Sequence, residues 1–97
     1  MTAIVISRRA RENFKRIWTY IAQDDQRAAD ALLLALNRKI VRLRDFPATG
    51  TLRDDIRPGA RMLVHGRYLI LYEHDASADQ VEIVAVVEAM RDLDRLL

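Results

Sequence analysis

The sequence predicts one α+β domain spanning residues 1–97, ordered as an N-terminal strand, an αα-hairpin, a three-stranded antiparallel meander and a short C-terminal helix. Three observations carry this. Residues 8–43 hold two apolar stripes of helical period, separated only by "QDDQ". Short β-branched and aliphatic runs occupy 2–7, 61–73 and 81–87, and both prolines fall in an aperiodic stretch at 47–60. At this length roughly two-thirds of the unfolded chain's surface can be buried, enough for one core.

Taken in order, "TAIVIS" (2–7) reads as a strand, with Ser7 placed to cap a helix. In the next segment Ala10, Phe14, Ile17, Trp18 and Ile21 recur at the spacing of an amphipathic helix. Asp24 or Asp25 can cap the second helix, where an acid also suits the helix dipole. That helix shows Ala29, Leu32, Leu33, Leu36, Ile40 and Leu43 on one face, with Arg38, Lys39 and Arg42 towards the other. Pro47 disfavours helix at Phe46 and ends it. So short a connection makes the two helices antiparallel neighbours.

Residues 47–60 read as a loop, longer than a small domain keeps without a use for it. "RMLVH" and "RYLILYEH" then form a hairpin around Gly66, and "VEIVAVV" supplies the third strand. A two-residue turn at His65-Gly66 would oppose Leu63 to Tyr68 and Arg61 to Ile70, and a regular second hairpin Tyr68 to Val87 and Arg67 to Glu88. One face then holds Arg61, Leu63, Tyr68, Ile70, Tyr72, Ile83, Ala85 and Val87. The other holds Met62, Val64, Leu69, Leu71, Val84 and Val86. A one-residue slip exchanges some of these, and Glu73 opposite Glu82 counts against the register. Both faces are apolar, and one αα-hairpin covers one of them, most simply the aliphatic face. The tyrosine-bearing face is left to the tail or to another molecule.

Charge is uneven. Residues 1–53 carry 11 Lys/Arg against 5 Asp/Glu, and residues 54–97 carry 5 against 9, for a net +2 overall. Fourteen of the sixteen cations are arginine, suited to bidentate contact with carboxylate or phosphate, but a dedicated nucleic-acid domain carries a larger net charge. With no cysteine, disulfides, thiolate metal sites and a Cys nucleophile are excluded. No apolar run approaches a membrane span and "MTAIVISRR" is short for a signal peptide, so the expected location is cytoplasmic.

Metal-free RNA cleavage needs a base, an acid and a cation around one phosphodiester. His65 and His74, the two histidines, would lie roughly 25 Å apart along the strands. His65, Arg67, Glu88 and Arg91 could gather near one hairpin end; the plainer reading is an Arg67–Glu88 rim ion pair with Arg91 anchoring the tail. Asp54, Asp55, Asp75 and Asp79 are too loosely spaced for a metal cluster. No catalytic residue, metal or cofactor is expected.

"IW-x-YIA", "FP-x-x-G", "RPG-x-R", "GRYLI-x-Y" and the closing "RDL" together resemble the ParE branch of the ParE/RelE toxin superfamily, over nearly the whole chain. The resemblance implies a RelE-like fold and the toxin half of a bacterial type II toxin–antitoxin pair. It implies a ParD-like antitoxin partner and DNA gyrase as target, with no direct sequence-specific DNA binding and no membrane. Alternatives within the superfamily are a ribosome-dependent mRNA interferase and a non-toxic accessory member. Where many ParE-like chains carry His-Gly before the closing Arg-Asp-Leu, this one has Glu88-Ala89, and its tail lacks a terminal Tyr or His. Both departures disfavour a nuclease. Expected target contacts are Arg61, Arg67, Tyr68, Tyr72, Glu88, Arg91 and Asp92, along with the tail segment. Expected antitoxin contacts are Trp18, Ile21, Leu33, Leu36 and Ile40 as apolar anchors, and Arg38 and Arg42 as charge partners.

Overall fold

A computed structural model describes residues 1–92 and 96. The chain runs β1 (Ala3–Ile6), α1 (Arg8–Ala22), α2 (Gln26–Val41), a 3-10 turn (Arg42–Arg44), β2 (Thr51–Leu52), β3 (Ala60–His65), β4 (Tyr68–Asp75), β5 (Gln80–Glu88) and α3 (Ala89–Asp92). The caps fall where the side chains dictate. Ser7 Oγ accepts the Ala10 N–H at the start of α1, and an Asp25 carboxylate oxygen accepts the Ala28 N–H at the start of α2.

The sheet has five strands in the order β1-β5-β4-β3-β2, with β1 parallel to β5 and all other pairs antiparallel. β2, two residues long, pairs Thr51 with Met62 and Leu52 with Arg61 inside the segment expected to be loop. Too short for a period of its own, it is held by its neighbours.

The β3–β4 turn is Gly66-Arg67, with His65 opposite Tyr68 and Leu63 opposite Ile70. Gly66, at φ 56°, supplies the left-handed turn conformation. This differs from the expected register by two positions, so the facing of every β3 and β4 side chain is preserved. β4 and β5 pair as expected from Tyr72–Ile83 to Glu73–Glu82, but Leu71 then faces Ala85. Val84 is therefore an extra residue, a β-bulge. Beyond it the facings invert: Val86 joins the side expected for Ile83, and Ala85 and Val87 join the opposite one.

Helix α1 braces this bulge. Ser7 Oγ donates to the Val84 carbonyl at 2.9 Å, and Asn13 Oδ1 accepts the Val86 N–H at 3.0 Å. Backbone groups that a bulge removes from the ladder thus find partners on α1. The Glu73–Glu82 opposition is relieved by Arg57, whose Nε lies 3.0 Å from the Glu73 carboxylate.

The helical hairpin covers the face opposite to the one expected. Ala10, Leu36, Ile40 and Leu43 pack on Ile70, Tyr72, Val81, Ile83 and Val86, with Phe14, Ile17, Leu63 and Tyr68 around them. Tyr72 fits this core because its hydroxyl reaches the edge, donating to the Pro47 carbonyl at 2.7 Å and accepting the Gly50 N–H at 2.9 Å. The aliphatic face is not bare either. Met62, Leu69, Leu71, Val84 and Val87 are all buried, and Leu96 from the C-terminal segment packs among them with Ile56 at the border. The expectation that one sheet face awaits a partner is therefore corrected: the chain's own residues lie on it.

Candidate functional site

The hairpin end of the sheet gathers several of the singled-out residues, though in other pairings than expected. Tyr68 faces Glu88 across the β4–β5 ladder. Glu88 pairs with Arg91 at 3.3 Å, not with Arg67, and Arg91 also lies 5.5 Å from the centre of the exposed Tyr20 ring. Arg67 sits in the turn with its side chain exposed, and its carbonyl accepts the Ala89 N–H at 2.7 Å, which directs the chain into α3. An Asp92 carboxylate oxygen accepts the Glu88 N–H at 3.4 Å. Burial first, and then the nearby Glu88 carboxylate, push the Tyr68 hydroxyl above its ordinary pKa. It stays protonated at neutral pH.

Two expected target contacts have internal work. One Arg61 guanidinium nitrogen donates to the carbonyls of Gly50 and Ala48, at 2.8 and 3.2 Å, and so ties down the 47–52 loop. Tyr72 is fully buried and offers a partner no surface; desolvation raises its pKa as well. Of the tail, Leu93, Asp94, Arg95 and Leu97 lie outside the described residues.

On the helices, Arg38 and Arg42 are exposed, and Ile21 and Leu33 half-buried. Trp18 is half-buried, and its indole N–H donates to Asp30 at 2.8 Å, tying α1 to α2. Leu36 is wholly inside the core and cannot meet a partner directly. Ile40, only 3% exposed, forms the floor of an apolar groove with Ile6, Phe14, Leu33, Leu34 and Asn37. Leu34 (52% exposed) lies off the core-facing stripe of α2. The run Leu32-Leu33-Leu34 carried the signal, since three consecutive leucines are wider than one helix stripe.

His65 lies opposite Tyr68, whereas His74 lies opposite Val81 near the other end of β4. Six residues of strand, about 20 Å, separate Tyr68 from His74. Glu73, Asp75 and Glu82 line a shallow depression around His74, and among the described residues no group of three or more His, Asp or Glu side chains is placed to hold a metal ion. No helix in the described residues is long and apolar enough to cross a membrane.

A family model described as the ParE toxin of type II toxin–antitoxin system, parDE, matches residues 4–93. Among solved structures the chain is similar to one from the chromosomal ParDE TA system from P. aeruginosa. The TM-score is 0.75 and the identity 15%, over 91% of this chain and 96% of that one, a likeness of fold. No curated protein matches the sequence.

Proposed function

The chain belongs to the ParE toxin family of type II toxin–antitoxin systems, and from that premise we propose that it acts in the cytoplasm on DNA gyrase by binding, without covalent chemistry, and is neutralised by a ParD-like antitoxin. The single observation that carries the non-catalytic reading is how the polar groups at the hairpin end are used. Glu88 and Arg91 pair with each other, and Arg61 holds loop carbonyls. The histidines are too far apart to share one phosphate as acid and base.

Arg67, Tyr68, Glu88 and Arg91 then serve the target as a rim of charged and aromatic contacts. An amphipathic antitoxin helix would seat its apolar face in the groove over Phe14, Leu33 and Leu34, with Arg38 and Arg42 for its acids. Expression of the chain alone tests this. Growth arrest with filamentation and DNA damage, and loss of supercoiling by purified gyrase, are the expected results. Codon-positioned mRNA cuts with gyrase unaffected would overturn the proposal.

A further inference from the structure

A second groove runs along the other flank of α1, towards the junction of β5 and α3. Arg9, Asn13, Arg16 and Tyr20 form its α1 wall, at i, i+4, i+7 and i+11, and Ile17 lies beside them. Three carboxylates also border it, and each is engaged. Glu12 pairs with Arg8 at 3.4 Å, Glu88 pairs with Arg91, and Asp92 accepts the Glu88 N–H. Among the described residues Arg9 and Arg16 have no ion pair, and both are exposed. Counted with Arg8 and Arg91, four arginines stand against these three carboxylates, so the excess charge is positive, and the exposed Tyr20 ring closes one end.

We propose that this groove docks an acidic amphipathic helix of a protein partner, its carboxylates meeting Arg9 and Arg16 and an apolar side chain one turn beyond the Arg16 contact lying against Ile17 and Tyr20. Spacing selects the helix. Arg9 and Arg16 are seven residues apart on one face, about 10.5 Å along the axis. Acids at i and i+7 of a partner helix reproduce both that distance and a common face. In a strand, residues three apart span about 10 Å but point to opposite sides. A nucleic-acid strand cannot omit its intervening phosphates and would set them beside Glu12, Glu88 and Asp92, whereas a helix with acids only at i and i+7 leaves the positions between them uncharged. Tyrosine and arginine are the side chains that anchor interfaces. The surface is distinct from the Leu33–Leu34 groove and does not depend on gyrase being the target.

The test uses the full chain and a displayed library of 15-residue helix-forming peptides, with Glu fixed at positions 4 and 11 and positions 1, 8 and 15 varied, so that either orientation offers a side chain to Ile17 and Tyr20. Peptides enriched on the wild-type chain are expected to bind R9Q/R16Q at least about tenfold more weakly and to lose most of their salt dependence. Leu34→Asp should leave their affinity unchanged. A thermal melt of R9Q/R16Q matching the wild type verifies that these exposed changes leave the fold intact. Equal binding to R9Q/R16Q overturns the proposal. So does the absence of any enriched peptide, or a single-stranded oligonucleotide that displaces the peptides at lower concentration.

Discussion

Tyr72→Phe isolates one oxygen atom on which a whole loop depends. The hydroxyl donates to the Pro47 carbonyl and accepts the N–H of the buried Gly50. Deleting it leaves the ring, and so the hydrophobic packing, in place. The Pro47 residue is half-buried, so its carbonyl can turn to water, whereas the Gly50 N–H is left enclosed without an acceptor. An orphaned buried donor costs about 1–3 kcal/mol, and about 2 kcal/mol is expected here because Arg61 continues to hold the adjacent carbonyls. For a domain of this size that lowers Tm by about 10 °C. Urea unfolding should show the midpoint falling with the slope unchanged, since no extra surface is exposed.

The same variant has a pH signature. Desolvation raises the pKa of Tyr72 in the folded state above its ordinary 10.0. Its stabilising contribution is therefore fully present below pH 10 and is lost as pH rises towards the folded value, because the unfolded chain ionises first. Wild-type stability should fall more steeply above pH 10 than that of Tyr72→Phe. A Tm drop below 2 °C at neutral pH, together with identical alkaline profiles, would refute the role assigned to this hydroxyl.

Three further outcomes can be measured alongside it. A Cβ at Gly50 would lie 2.7 Å from the Tyr72 ring, so Gly50→Ala should destabilise by about 1–3 kcal/mol in urea unfolding, and the double variant with Tyr72→Phe should be less than additive. Asn13→Ala removes the acceptor for the Val86 N–H in the bulge and should cost about 1–2 kcal/mol, with amide exchange at Val86 accelerated. Leu34→Asp, at a half-exposed position, should shift stability by less than about 0.5 kcal/mol yet weaken ParD-like antitoxin binding in calorimetry by at least tenfold.

The helices were legible because their stripes and caps are local: Ser7 caps as expected, and of the two candidates Asp24 and Asp25 the second caps α2. Four of the five strands were legible for the same reason, and so was the facing of β3 and β4, but the facing of β5 beyond Val84 was not. A bulge at Val84 leaves no mark in a run as uniformly aliphatic as "VEIVAVV", and its partners, Ser7 and Asn13, lie more than seventy residues away. Side-chain type misled where a polar atom sits at the margin of the core. Tyr72 and Arg61 read as surface anchors, while their polar ends meet loop carbonyls that no periodicity reveals. Conversely Arg9, Arg16 and Tyr20 form one helix face in plain view of the spacing. Spacing alone does not reveal that this face borders a groove, because its other wall comes from β5 and α3.

Parallel pairing of β1 with β5 joins residues 3–6 to residues 80–83, near opposite ends of the polypeptide. Synthesis must therefore run 77 residues past Ala3, to Gln80, before β1 meets its ladder partner. Until then β1 and α1 lack the strand they pack on, and the long loop that must close makes this a late, slow event. Prematurely terminated products cannot complete the sheet and remain open to proteases.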